Sequence, residues 1–189
     1  MSGAQSIRHV ADRRGRSVDR RDTARTCGLD TSAIRDYRTA NPGIADDDLH
    51  AMFFSDALFR IAALWCAEAS AGAGRDTYLY EFAWPSPARD GALRACHGLD
   101  VPFTFDTPHS PLAADLIGPE VPADFVPLSA AMRSAFAAFA TTGAPGWPRF
   151  DSIERIHRIW KTPPALGRDP LSASRRIWQG SGVPGAAIM

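Results

Sequence analysis

The segment LRACHGLDVPF, residues 93–103, is the most informative stretch for the fold of this chain. It places one histidine, His97, in a loop of small residues. The preceding pattern TYLYEF, residues 77–82, alternates aromatic with other side chains and predicts a β-strand. The chain leaves that strand through WPSP, residues 84–87. Open α/β sheets hold their chemistry in loops beyond strand ends. Because imidazole exchanges a proton near neutral pH, the loop is a candidate acid–base site.

Four motifs occur in order around this loop: YLYEF-x-W at 78–84, ACHG-x-D-x-PF-x-F at 95–105, FA-x-TG-x-P at 139–145 and WPRF at 147–150. Together they resemble the C-terminal third of the type-B carboxylesterases, the cholinesterase-like branch of the α/β-hydrolases. The resemblance covers residues 29–178. It implies an α/β fold, carboxylic ester substrates and a serine-esterase mechanism. In that family the Ala-Cys-His-Gly loop carries the triad histidine, so the resemblance assigns that role to His97.

The other parts of the esterase machinery are missing from the sequence. In α/β-hydrolases the nucleophilic serine and the acid precede the histidine along the chain. The elbow Gly-x-Ser-x-Gly and a Gly-Gly-Gly oxyanion loop are absent, and the GSG at 180–182 follows His97. Glu68 and Glu81, the only glutamates before His97, lack the Glu-Gly context of the family's acid. We therefore expect a C-terminal esterase fragment that is inactive alone.

Composition sets the class of protein. The 189 residues are 45% hydrophobic and 22% charged with zero net charge, as in a globular domain, and nothing in the charge favours nucleic acid or membrane. No apolar run approaches the roughly 18 residues of a membrane helix, and no secretory signal is visible, so we expect no membrane association. Three cysteines without Cys-x-x-Cys spacing suit a reducing compartment. We expect a cytoplasmic protein without a metal site or a cofactor.

Three segments are predicted along the chain. Residues 1–28 form a basic tail, in which the first 26 residues hold seven arginines against three aspartates and almost nothing apolar, so disorder is expected. A basic arm for an acidic partner and an Arg-rich targeting segment are the alternatives for this tail. Residues 29–180 form the carboxylesterase segment, and residues 181–189 form a frayed C-terminus.

The first part of the esterase segment reads as three helices. One ends before NPG at 41–43, and a second begins with DDD at 46–48, where negative charge suits a helix N-terminus. Ser55-Asp56 is expected to open a third helix, ended by GAG at 72–74. Its predicted core stripe is Leu58, Ile61, Ala62, Trp65 and Ala69. Asp56 is interpreted as structural.

The second part predicts a helix-rich α/β fragment with one or two strands of an incomplete sheet. Residues 106–127 are expected to be irregular and contain His109, a rival to His97 on composition alone. The apolar positions of residues 128–139 predict a helix that ends at Thr142-Gly143. Residues 156–160 predict a short edge strand, and a final helix contains Trp178.

Three functions remain open from the sequence. The first is an esterase fragment, in its active form the complementary half of a split esterase, which would supply His97 to a partner. The second is a non-catalytic interaction module that exposes apolar stripes such as Leu58/Ile61/Trp65 and Met132/Phe136/Phe139. The third, nucleic-acid binding by the arginine-rich tail, is disfavoured because no aromatic residues are interleaved with the arginines.

Overall fold

A computed structural model describes residues 32–180, which form two compact units. The helical unit consists of residues 32–66 and 171–180, and the sheet unit is the continuous segment Ala67–Pro170. The predicted basic tail and the predicted frayed C-terminus lie outside the described residues. Each unit has its own cluster of buried apolar side chains.

The helical unit is built from segments at both ends of the described chain: α1 (Ser32–Ala40), α2 (Asp46–Ser55), a π-helical turn (Asp56–Arg60), the first residues of α3 (Ile61–Gly72) and α7 (Ser172–Gly180). α1 ends directly before the NPG sequence, and α2 has three aspartates in its first turn, as the sequence predicts. The core of this unit consists of Ala33, Tyr37, Leu49, Phe53, Ala57, Ile61 and Trp178.

The predicted start of a helix at Ser55-Asp56 is wrong. One continuous helical segment runs from Asp46 to Gly72, with a π-helical turn at the point where the sequence suggested a break. A π turn holds one more residue than an α turn, so apolar positions before and after it do not follow the α-helical period. Leu58 is consequently 47% exposed, whereas the buried apolar positions are Ala57, Ile61, Leu64 and Ala67.

The joined helix also revises the expectation that no segment has membrane-spanning length. Residues 46–72 form the one helix in the described part of the chain that is long and apolar enough to cross a membrane. Half of its most apolar window is buried within the structure. Buried core helices of soluble proteins satisfy the same criterion of length and composition.

The sheet unit contains the last residues of α3, three short strands and three further helices: β1 (Tyr80–Phe82), α4 (Asp100–Phe105), α5 (Pro111–Leu116), α6 (Phe125–Thr142), β2 (His157–Trp160) and β3 (Ala165–Gly167). The strand order is β1-β2-β3, with β1 parallel to β2 and β3 antiparallel to β2. This arrangement confirms a partial α/β fold. The predicted edge strand at 156–160 is wrong in one respect, because β2 is the middle strand of the described sheet and β3 is additional.

Aromatic side chains join the helices of the sheet unit to its strands. The ring of Phe103 on α4 lies 5.2 Å from Phe82 of β1 and 4.3 Å from Phe125 of α6, measured between ring centroids. The hydroxyl of Ser129 donates to the carbonyl of Phe103 at 2.7 Å, which fixes α6 against α4. α6 ends at Gly143 with φ of 75°, the left-handed stop that the sequence predicts. The segment expected to be irregular contains α5, capped by the side chain of Ser110.

Candidate active site

The chain between β1 and the candidate histidine is fixed at several points. Trp84 Nε1 donates to Asp124 Oδ2 at 2.8 Å directly after the strand. Ser86 N donates to the carbonyl of Arg94 at 3.0 Å, which closes the intervening loop. The hydroxyl of Ser86 donates to the carbonyl of Leu116 at 2.5 Å, so the loop is also tied to the end of α5. The backbone at Arg94, from which the candidate loop continues, is therefore fixed.

His97 is an exposed residue between buried neighbours. Cys96 and Leu99 belong to the core of the sheet unit, with 8% and 0% exposure. A turn joins them, in which Leu99 N donates to the carbonyl of Cys96 at 3.2 Å and Gly98 has φ of 80°, a conformation that favours glycine. Packing of Cys96 and Leu99 in the core thus fixes the turn on both sides, and the side chain of His97 between them is exposed. A side chain that exchanges protons with a bound substrate needs this combination of fixed backbone and access.

Burial disfavours the ionised forms of two side chains, the Cys96 thiol in this loop and the Tyr80 phenol on β1. Burial raises the pKa of the Cys96 thiol, which keeps it protonated. Burial, and secondly the charge of Asp100, raise the pKa of Tyr80 on β1. Neither group therefore acts as an anionic nucleophile. Within residues 32–180 no cluster of three or more His, Cys, Asp or Glu side chains could hold a metal ion.

The rival histidine His109 is exposed in the turn before α5, where the neighbouring Ser110 accepts from Ala113 N at 3.2 Å as a helix cap. A histidine–carboxylate contact that the sequence did not reveal lies on the sheet: His157 Nε2 is 3.8 Å from Glu81 Oε2. His157 is 3% exposed and Glu81 lies on the neighbouring strand. The pairing of β1 with β2 creates this contact, and no local motif signals it.

Comparison with known proteins identifies the family. The family model described as "Carboxylesterase family" matches residues 18–162, more than half of the chain. This chain belongs to the carboxylesterase family. The match includes the ACHG loop with His97 and most of the sheet unit. It begins at residue 18, inside the predicted basic tail.

Solved carboxylesterases share the fold of this family member. The Geobacillus stearothermophilus carboxylesterase EST55 at pH 6.2 is 26% identical with a TM-score of 0.69, and the match covers 84% of this chain and 34% of EST55. A thermophilic PNB esterase is 21% identical with a TM-score of 0.69, covering 89% of this chain and 35% of that enzyme. An esterase from anaerobic Clostridium hathewayi, which can hydrolyse aliphatic aromatic polyesters, is 18% identical with a TM-score of 0.61 and coverages of 95% and 36%. This carboxylesterase chain therefore spans about a third of each solved enzyme.

Proposed function

We propose that this chain supplies the general-base histidine, His97, of a serine carboxylesterase that acts on small-molecule carboxylic esters. In such an enzyme the imidazole removes the proton of the serine during attack on the ester carbonyl and later protonates the leaving alcohol. The observation that carries the proposal is the position of His97, exposed in a fixed turn beyond the carboxyl end of β1, in a chain of the carboxylesterase family.

The remaining catalytic groups come, in this proposal, from a complementary esterase polypeptide. No Gly-x-Ser-x-Gly elbow occurs in the 189 residues. Of the two glutamates before His97, Glu68 lies 2.9 Å from Arg155 in an ion pair, and Glu81 faces His157. Glu68 thus has another partner, and Glu81 lies beside His157 on the sheet. A nucleophile and an acid must be added to complete the triad, and oxyanion donors must be added to stabilise the tetrahedral intermediate.

The chain by itself is then inactive as a serine esterase. A positioned general base contributes about 10²–10⁴-fold to a rate, and only when a substrate is held against it. Members of a triad act as a unit, so an imidazole without its serine retains little of the joint effect. Ester hydrolysis is expected to appear only when a partner brings the serine within reach of His97.

Co-expression with an esterase core tests this function. The core is the part of EST55 that this chain does not match, which is expected to contain the elbow serine. We expect p-nitrophenyl acetate hydrolysis from the co-purified pair, none from either part alone, and loss of at least about 10³-fold with His97→Ala. The matched control is His109→Ala, another exposed histidine of the sheet unit. Activity of this chain alone, inhibited by an organophosphate, or equal activity of the two variants would contradict the proposal.

A non-catalytic interaction module is the second candidate, and exposed apolar side chains favour it. Phe105, Val126 and Phe139 in the sheet unit are 69%, 62% and 48% exposed. Burying such side chains against a partner stabilises association by about 25 cal/mol per Å² of apolar area. Met132, by contrast, is fully buried, so the predicted α6 stripe is only partly available. Sedimentation velocity distinguishes the candidates, because a monodisperse monomer without a partner contradicts a module that associates with itself.

We also propose a cytoplasmic location for this chain. Cys66 is exposed, Cys96 is buried, and both are free thiols in the described chain. Free thiols persist in reducing compartments. Cell fractionation with thiol labelling tests the location, and recovery of the chain with the membrane fraction would contradict it.

A further inference from the structure

Arg158, on the middle strand β2, is held against two tryptophan rings. Its guanidinium carbon Cζ lies over the ring of Trp147, 5.5 Å from the ring centroid, and over the ring of Trp160, 5.4 Å from that centroid. The two indole rings also contact each other, with centroids 5.8 Å apart and an angle of 86° between the planes. Trp147 and Trp160 are 8% and 2% exposed. The cation therefore lies against a buried aromatic surface, and cation–π attraction stabilises it there.

The guanidinium of Arg158 has no carboxylate partner in the part of the chain that the structure describes. Two arginines close to it in the sequence do have one: Arg155 Nη2 lies 2.9 Å from Glu68 Oε1, and Arg149 Nη2 lies 2.7 Å from Asp76 Oδ2. The described residues offer the Arg158 guanidinium two ring faces, and none of them accepts a hydrogen bond from its Nε. A ring face attracts the positive charge, whereas the N–H donors of a guanidinium match the two oxygens of a carboxylate.

The indole groups beside Arg158 are two further donors without an acceptor. Trp147 Nε1 and Trp160 Nε1 are buried, and within the described residues neither has a hydrogen-bond partner, as is also true of Arg158 Nε. Buried N–H groups in proteins are usually paired, so three such donors in contacting side chains favour the binding of an acceptor at this place. All three groups are donors and one of them is cationic, which selects an anion.

The neighbours of Arg158 across the sheet are exposed and largely apolar. The strand register places Tyr80 of β1 and Leu166 of β3 opposite Arg158, so the three side chains lie on one face of the sheet. Tyr80 is 42% exposed and Leu166 is 51% exposed. The ring of Phe136 on α6 lies 5.6 Å from the Tyr80 ring, measured between centroids. A ligand that pairs with the guanidinium therefore lies beside apolar surface, which favours an apolar body on that ligand.

We propose that Arg158 anchors a binding site for a small aromatic carboxylic acid, whose carboxylate pairs with the guanidinium and whose ring packs beside Tyr80 and Leu166. A carboxylate matches the guanidinium in shape and carries the single charge that one arginine balances. Phosphate carries more than one negative charge at neutral pH, which this single guanidinium does not balance. The inference goes beyond the proposed function, because binding of the acid requires neither a serine nor a complementary polypeptide.

Titration of the full chain with benzoate tests the site. The indole N–H signals of Trp147 and Trp160, assigned by replacing each residue with phenylalanine, report binding in NMR spectra. We expect saturable shifts of both signals with benzoate, and at least about tenfold weaker binding of benzamide, which has the same ring without the charge. Inorganic phosphate and N-acetylglutamate amide, which presents the carboxylate of a polypeptide side chain, are further probes that should also bind more weakly than benzoate.

Arg158→Met should weaken benzoate binding at least about tenfold, because methionine still packs against the indole rings but has no charged donors. Arg149→Met is the matched control. Arg149 follows Trp147 by two residues, its side chain is 65% exposed, and it already pairs with Asp76. We expect this control to leave benzoate binding unchanged. Thermal unfolding of both variants reports whether they are folded.

Equal affinities for benzoate and benzamide would overturn the site, as would shifts that do not saturate or that spare Trp147 and Trp160. Equal losses with Arg158→Met and Arg149→Met would also overturn it. Phosphate or N-acetylglutamate amide binding as tightly as benzoate would overturn the assignment of an aromatic acid as the ligand. The comparison of benzoate with benzamide uses the unmodified chain, so it decides the question even where Arg158→Met fails to fold. These measurements involve no ester hydrolysis, so failure of this inference leaves the proposed function standing, and the reverse also holds.

Discussion

Asp56 is a fully buried carboxylate with a partner at each oxygen. Tyr37 Oη donates to Oδ2 at 2.8 Å, and Arg60 Nη1 lies 3.2 Å from Oδ1. Trp178 Nε1 donates in turn to Tyr37 Oη at 2.7 Å. Burying a carboxylate is unfavourable unless it is paired and hydrogen-bonded. These contacts join α1, the π-helical turn and α7, which is a structural role for Asp56.

Replacing Asp56 by alanine should lower the free energy of unfolding by about 3–5 kcal/mol, because Arg60 would keep a buried charge without its partner. Asp46→Ala is the control, since Asp46 and Arg38 form an ion pair at 2.7 Å with both side chains about half exposed. We expect this control to cost about 1 kcal/mol or less. Urea denaturation measures both, and equal losses would show that burial does not strengthen the Asp56 contacts.

Tyr37 predicts a loss of stability in alkali. Burial, followed by the charge of Asp56, raises the pKa of Tyr37 well above its ordinary value of 10.0. The unfolded chain therefore releases this proton first as the pH rises, and the contribution of Tyr37 to stability, complete below about pH 10, declines above it. The free energy of unfolding should fall less steeply above pH 10 in Tyr37→Phe. An identical slope in both proteins would contradict the assignment.

At the scale of elements, the sequence predicts where helices end, but it does not predict that residues 46–72 form one continuous helix. The stops at Ala40, Gly72 and Thr142 follow local signals, Pro-Gly or glycine, which act within a few residues. The π-helical turn at Asp56–Arg60 carries no such signal, because Ser-Asp suits a helix start as well as a helix interior. The contact between Glu81 and His157 depends on strand pairing across the sequence, which local patterns do not encode.

The ACHG loop was selected as a candidate site for a different reason. The candidacy of His97 rests on motif resemblance, whereas its exposure and the anchoring of its neighbours depend on tertiary packing. The sequence also revealed the absence of the elbow serine directly, since that motif is local. The surroundings of Arg158 could not be inferred from the sequence, because they require the strand register and the contact with Trp147.

Packing between β2 and β3 predicts a steric effect at Gly167. A Cβ added at Gly167 would meet the His157 ring, 2.7 Å from its Nε2, and would lie 2.9 Å from Ile159 Cδ1. Gly167→Ala should therefore destabilise the chain by about 1–3 kcal/mol. In a double-mutant cycle, His157→Ala should remove a large part of that cost, because the added methyl group then has room. Additive effects of the two substitutions would show that the ring is not the obstacle.

At the scale of the whole molecule, the helical unit depends on α7. Trp178 is fully buried, and its ring lies 6.1 Å from Phe53 and 6.3 Å from Trp65. Trp178→Ala should cost about 3–5 kcal/mol of stability in thermal or urea unfolding. Gln179→Ala, one position further along α7 and exposed, should change stability by about 0.5 kcal/mol or less. Comparable effects at both positions would contradict the role of α7 as a core element.

The division of the helical unit between residues 32–66 and 171–180 has a consequence during translation. Ribosomes add about 5–20 residues per second, so the early part of this unit emerges many seconds before α7 is synthesised. During that interval Tyr37 has no indole donor, and the surface of Phe53 that Trp178 covers faces water. The nascent chain then exposes an apolar surface of the kind that chaperones bind, until α7 leaves the ribosomal tunnel.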